Sequence, residues 1–120
     1  MKFSLLLYAL GVKLKSAIKK SADFKARVKE QNMTLQIRTE DGKKGRYYIF
    51  KDGEITSLKG VTANPDVALV WCDAKTAFAV MSKGDQETSM KALTEGKLKL
   101  EGDGGKALWF TETVKQMKAL

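Results

Sequence analysis

The hydrophobic period changes once, near residue 33, and that change decides most of what the chain can fold into. Before it, Phe3, Leu6, Leu7, Leu10, Leu14, Ala17 and Ile18 recur at three- and four-residue spacing, the pattern of one broad helix face. After it, Met33, Leu35 and Ile37 alternate with Thr34, Gln36 and Arg38, the pattern of a strand buried on one side. A chain that opens as amphipathic helix and continues as alternating strand has to pack helix on sheet.

The segments that follow extend the sheet. The stretch "EDGKKG" (40–45) is a charged, glycine-rich turn, "RYYIFK" (46–51) a second strand, Asp52-Gly53 a tight hairpin and "EITSL" (54–58) a third strand. Connections this short make the three strands antiparallel. Within "RYYIF", Tyr48 and Phe50 alternate with Tyr47 and Ile49, so one pair has to serve the core. After the loop "GVTANP" (60–65), the almost wholly apolar "DVALVWC" (66–72) reads as a strand covered on both faces. How it joins the others is not legible.

Two capped helices come next. Asp73 opens "DAKTAFAVMSKG", with Ala74, Ala77, Phe78 and Met81 on one face and Gly84 as its stop. Asp85 opens "DQETSMKALTEG", with Thr88 at the third position, Met90 and Leu93 expected to point inward, and Gly96 as its stop. "KLKLE" (97–101) then alternates Leu98 and Leu100 against lysines, which suits a sheet edge. A closing helix from about residue 105 carries the stripe Ala107, Phe110, Val114 and Met117, with Trp109 beside it. The expected fold is α+β, an antiparallel-rich mixed sheet of about five strands with helices packed on it. At 120 residues it is expected to be one domain, 1–120, with 1–30 as a basic amphipathic helical segment and 33–120 as the sheet-and-helix core.

The net charge of +8 is concentrated in that first segment. Residues 1–30 hold eight lysines and arginines against Asp23 and Glu30, so +6 of the excess lies there. Leu5, Tyr8 and Val12 form a smaller apolar patch opposite the main stripe, and the lysines of the helix gather at Lys13, Lys15, Lys19 and Lys20. Those four are the candidate contacts for an anionic membrane surface or a partner protein. The apolar run 3–12 is too short to span a bilayer, and "KSAIKKSA" (15–22) is a poor cleavage context for a signal peptide. A single cysteine, Cys72, suits a reducing compartment, and the cytoplasm is the expected location.

Most chemistries fail on residue type or spacing. The chain has no histidine, which removes the commonest general base and metal ligand together. The glycine-rich "EGDGGK" (101–106) resembles a phosphate loop only superficially. Leu100 stands where a P-loop needs its first glycine, Ala107 stands where it needs a hydroxyl, and Asp103 would repel the phosphate. A nucleotide-binding Gly-x-Gly-x-x-Gly would also need a parallel strand–helix–strand unit around it. Turn acids such as Glu40-Asp41 lack calcium-loop spacing. Cys72 has no histidine to activate it. A nucleic-acid surface is disfavoured because the basic excess sits on a helix with a broad apolar stripe and not around the aromatic strand. The chain therefore reads as a protein that is not an enzyme, with no cofactor and no metal.

From "YYIFKDGEITSLKG" (47–60) onward, the sequence resembles the sterol carrier protein 2 (SCP-2) family of lipid-binding domains. The matching pieces are the Asp-Gly hairpin, "NPDVALVW" leading into the capped helix "DAKTAFAVM", and the run "MKALTEGKLKLEGD" (90–103) before the amphipathic closing helix. The resemblance implies an SCP-2-like sheet-and-helix fold enclosing an apolar cavity for fatty acyl chains, sterol-like molecules or isoprenoids. It also implies non-catalytic binding or intermembrane transfer, or service as an accessory subunit of a lipid- or quinone-modifying enzyme complex. By position, the lipid-binding residues it implies are Phe78, Met81, Met90, Leu93, Phe110, Val114 and Met117. No catalytic residue is carried over.

Overall fold

The computed structural model describes residues 2–120, in the order α1 (Lys2–Lys20), α2 (Ala22–Val28), β1 (Met33–Thr39), β2 (Gly45–Lys51), β3 (Glu54–Lys59), β4 (Val67–Trp71), α3 (Ala74–Lys83), α4 (Gln86–Thr94), β5 (Leu98–Gly102) and α5 (Gly104–Lys118). The α1 stripe is where the spacing puts it. Phe3, Leu7, Leu14 and Ala17 are buried, Leu6, Leu10 and Ile18 flank them half-buried, and Leu5, Tyr8 and Val12 face outward. Ser21 then caps α2, its Oγ accepting the Phe24 amide at 3.1 Å, and the short helix buries Phe24 and Val28.

The five strands form one sheet in the order β3-β2-β1-β4-β5. β1, β2 and β3 are antiparallel neighbours, with Leu35 opposite Tyr48 and Phe50 opposite Ile55. The hairpin between β2 and β3 turns through Asp52 and Gly53, both at positive φ (52° and 83°), the backbone of a two-residue turn that matches strand twist. β4 joins the far side of β1 in parallel, Leu35 opposite Val67, and β5 pairs antiparallel with β4. The connection 60–66 therefore has to cross the sheet. Gln36, which alternates with the core residues of β1 and so points to the face away from them, accepts the Thr62 amide at 2.6 Å and is itself buried. Asp66 completes the seam, its carboxylate accepting the Thr34 amide at 2.7 Å. This crossover places β4 inside the sheet between β1 and β5, and its apolar run is buried on both faces with only Leu69 half-buried.

One face of the sheet and the helices share a single core, built on Leu35, Ile37, Tyr48, Phe50, Val67 and Trp71 from the strands and Phe3, Leu7, Ala77, Phe110 and Met117 from the helices. Tyr48 and Phe50 are the inward pair of β2, and Tyr47 and Ile49 lie half-buried on the opposite face. Gly11 lets α1 descend onto the sheet: a β-carbon there would stand 2.7 Å from Ser57 Oγ and 3.3 Å from the Tyr48 ring.

Two inward assignments are corrected. Met90 and Leu93 of α4 are 53% and 40% exposed, and the helix buries Ala92 instead. A nine-residue helix lying on α3 and β5 makes its close approach through a small residue, which leaves its long side chains on the outer flank. Leu100 is also exposed, unlike Leu98. It lies against the start of α5, where Gly104, whose β-carbon would stand 3.8 Å from Leu100 Cδ2, has no side chain to cover it. The caps hold as expected: Asp73 accepts the Thr76 amide at 2.7 Å and Asp85 the Thr88 amide at 2.6 Å.

Candidate functional site

The apolar layer between the sheet and the helices is built around an aromatic cluster. Tyr48 and Phe110 stack with ring centres 6.3 Å apart, and Phe50 meets Phe110 and Trp109 edge-on at 6.1 and 5.6 Å. Every ring comes from the middle of β2 or from the first half of α5, so α5 presses its aromatic stripe directly onto that strand. Above the cluster, the Tyr48 hydroxyl donates to the Leu7 carbonyl at 2.6 Å. Burial pushes this phenol well above the ordinary tyrosine range.

The seven apolar residues expected at a lipid site divide into two groups. Phe110 and Met117 are buried in the common core, and Phe78, Met81 and Val114 pack against it half-buried. These five share one continuous layer. Met90 and Leu93 lie outside it, on the exposed flank of α4. Phe78 is also reached from above by the Lys2 ammonium, 5.8 Å from the ring centre.

Next to this layer is a polar feature that helical periodicity did not single out. Arg27 of α2 is half-buried, its Nε donating to Thr113 Oγ1 at 2.8 Å and a terminal nitrogen to the Trp109 carbonyl at 3.3 Å. Its guanidinium carbon lies 5.4 Å from the centre of the Trp109 ring. Among the described residues no carboxylate forms a salt bridge with it, so the protein meets the charge with neutral acceptors and an aromatic face. The indole N–H of Trp109, and that of Trp71 at the end of β4, are buried with no acceptor in the protein. In the sequence Arg27 is one of many basic residues near the N-terminus. Only the packing of α2 against α5 distinguishes it.

Two open grooves lie outside the core. One, of about 420 Å³, runs between the second half of α1 and the end of α5, with Lys13, Lys20 and Lys118 around Val12, Ala17 and Met117. The other, also about 420 Å³, separates α3 from α4 and is lined by Lys75, Lys91, Lys97 and Glu95 around Ala79, Val80 and Ala92. The four lysines expected to meet a membrane or a partner, Lys13, Lys15, Lys19 and Lys20, are all exposed, and none forms a salt bridge among the described residues.

The glycine-rich segment serves a turn. Gly102 has φ of 92°, and a β-carbon there would run into the Asp66 backbone. Asp103 then caps α5, accepting the Lys106 amide at 3.1 Å, so the carboxylate occupies the helix terminus that a phosphate would need. Cys72 is exposed, its Sγ 3.6 Å from Asp73 Oδ2. Among the described residues no group of three or more cysteine, aspartate or glutamate side chains is arranged to hold a metal ion, and no helix is long and apolar enough to cross a membrane.

Solved structures share this architecture. The UbiJ-SCP2 ubiquinone synthesis protein superposes with a TM-score of 0.71 at 15% identity, over 97% of this chain and 93% of that one. The sterol carrier protein domain 2 of Helicoverpa armigera gives 0.69 at 16% identity, over 100% and 91%. The apo form of sterol carrier protein 2 from Yarrowia lipolytica gives 0.57 at 19% identity, over 86% and 84%. At these identities the likeness is one of fold. No curated protein sequence matches. The model of the SCP-2 sterol transfer family matches residues 13–115, which runs from the middle of α1 to near the end of α5. With the five-stranded mixed sheet, its helical cover and this match in agreement, the chain belongs to the SCP-2 sterol transfer family.

Proposed function

We propose that the protein binds lipids without transforming them and carries them between membranes, taking fatty acyl chains, sterol-like molecules or isoprenoids into the layer between sheet and helices. The observation that carries this reading is the meeting of Phe78, Met81, Phe110, Val114 and Met117 in one apolar layer of an SCP-2 fold. Each methylene removed from water contributes about 0.8 kcal/mol, so an acyl chain of moderate length needs few polar contacts. A ligand would enter by parting the helices from the sheet, to which they are held through side chains and not through strand ladders. Arg27 and the indole N–H of Trp109 would then receive a polar end group, and Met90 and Leu93 would stand at the rim. A free, exposed cysteine fits the cytoplasm as the place of action.

Native mass spectrometry of the purified protein, before and after organic extraction, tests the proposal. Bound lipid that leaves with the solvent supports it, as does saturable rebinding of a fatty acid or an isoprenoid. A protein that stays empty and ignores both in titration overturns it.

The exposed outer line of α1 favours a second reading, in which the domain is an accessory subunit of a lipid- or quinone-modifying complex. The ubiquinone synthesis protein that shares the fold is consistent with that role. Recovery of a stoichiometric enzyme partner in a native pull-down would support it.

A further inference from the structure

The face of α1 that points away from the core has a pattern of its own. Leu5, Tyr8, Val12, Lys15 and Lys19 are all exposed and follow one another at spacings of three, four, three and four residues. That is the a/d spacing of a helix–helix seam, about 21 Å long at 1.5 Å per residue. Charge is separated along the seam: its first three positions are apolar and its last two are ammonium groups. Ala9 and Ser16, small and half-buried, flank it seven residues apart. The Arg46 guanidinium, 5.3 Å from the Tyr8 ring, holds that aromatic in place. Beside the second half of the seam runs the α1–α5 groove, which adds Lys13, Lys20 and Lys118 and has no acidic side chain in its lining.

From this arrangement we infer that α1 docks an amphipathic helix of another protein, apolar where it meets Leu5, Tyr8 and Val12 and acidic where it meets Lys15, Lys19 and the groove. Over the full length of the seam a second copy of this chain does not fit. Parallel pairing sets Lys15 and Lys19 against themselves, and antiparallel pairing sets Lys19 against Leu5 and Lys15 against Tyr8. A flat bilayer fits less well than a helix. The broad apolar stripe of α1 is already spent on the core, and the outer line would carry two ammonium groups inward with its apolar residues. The inference concerns the outside of α1 and stands apart from lipid binding inside the fold.

The test uses the full chain and two labelled synthetic peptides of three heptads. One has leucine at the seam positions of its first half and glutamate at those of its second, and the other has lysine in place of glutamate. Fluorescence anisotropy should show saturable binding of the acidic peptide only. Tyr8→Glu should weaken that binding by roughly tenfold or more. The double variant Lys15→Glu, Lys19→Glu should lose the acidic peptide and gain the lysine peptide. Every substituted residue is exposed, so circular dichroism and lipid rebinding should match the parent protein. Absence of saturable binding up to roughly 1 mM peptide, or binding that ignores both the substitutions and the charge swap, overturns the inference. So does Tyr8-dependent retention on phosphatidylserine vesicles with no peptide binding, which would assign the surface to a membrane.

Discussion

The Tyr48 hydroxyl donates to the main-chain oxygen of Leu7 at 2.6 Å, linking the centre of β2 to the second turn of α1 across a site with no solvent access. Forty-one residues separate the two partners, so the bond forms only when the N-terminal helix is seated on the sheet. Tyr48→Phe keeps the ring and its stacking on Phe110 but leaves the bond unmade. It should cost about 1 kcal/mol, a fall in Tm of roughly 4 °C for a domain of this size. The pH dependence follows from the raised phenol. Desolvation lifts its pKa above the ordinary 10.0, so the unfolded chain loses this proton first. The contribution of Tyr48 to stability is complete below pH 10 and is lost progressively as pH rises from there toward the folded value. Denaturant melts of the parent and Tyr48→Phe proteins between neutral pH and strong alkali check both statements, and the parent should show the steeper alkaline decline.

Gly11 and Ser57 form the tightest approach between α1 and the sheet. Alanine is the better helix former by about 1 kcal/mol, yet its β-carbon would lie 2.7 Å from Ser57 Oγ and 3.0 Å from Ser57 Cβ. The serine cannot simply rotate away, because its Oγ accepts from Arg46 at 2.9 Å. Gly11→Ala should therefore destabilise the protein, by about 1–2 kcal/mol net of the propensity gain. Adding Ser57→Gly should return part of the loss. A thermodynamic cycle over the two positions measures the coupling, and additive losses would mean that the helix is not seated by this contact.

Much of the fold is legible in the sequence because its signals are local. The period change at Met33, the Asp-Gly hairpin and the aspartate caps each depend on a few neighbouring residues, and each appears where those residues place it. The parallel pairing of β1 with β4 has no local cause. It follows from a crossover fastened by Gln36 to Thr62 and Asp66 to Thr34, and neither pair is a motif. Burial of the candidate residues divides in the same way. The buried α5 stripe is legible because a long helix on a sheet buries one face continuously. The inward orientation expected of Met90 and Leu93 fails because a short helix can make its contact through an alanine. Arg27 gives no periodic signal, since its role is set by Trp109 and Thr113 from the other end of the chain.

The helix caps should make the protein sensitive to acid. The Asp73 carboxylate is held below the usual aspartate range by the Thr76 amide and hydroxyl, and that of Asp85 by the Thr88 hydroxyl and amide. Depressed values mean that the folded protein keeps these groups ionised while the unfolded chain already takes up protons. The stabilisation is thus present above the ordinary value of 3.8 and disappears as pH falls through the lower folded values. NMR titration of the two side chains should give midpoints below 3.8. In the double variant Asp73→Asn, Asp85→Asn, which keeps a capping oxygen but cannot ionise, the drop in Tm over the acid range should be smaller than in the parent.

Alanine substitutions at Phe110, Met90 and Leu93 separate the inner layer from the α4 flank. Phe110 is 4% exposed and touches both Tyr48 and Phe50, so Phe110→Ala removes the centre of the aromatic cluster and should cost about 3–5 kcal/mol. The space it leaves is apolar. If the ligand enters this layer, the variant should regain part of its stability when a fatty acid or an isoprenoid is added, because binding to the folded state shifts unfolding by mass action. Met90→Ala and Leu93→Ala should change stability by no more than about 0.5 kcal/mol, as exposed positions do. Their effect on lipid affinity then becomes informative. Loss of affinity without loss of stability would place both residues on the ligand path, and unchanged affinity would remove them from the site and leave Phe78, Met81, Phe110, Val114 and Met117 as its lining. Calorimetric melts with and without lipid, run alongside lipid titrations of all three variants, read both quantities on the same protein.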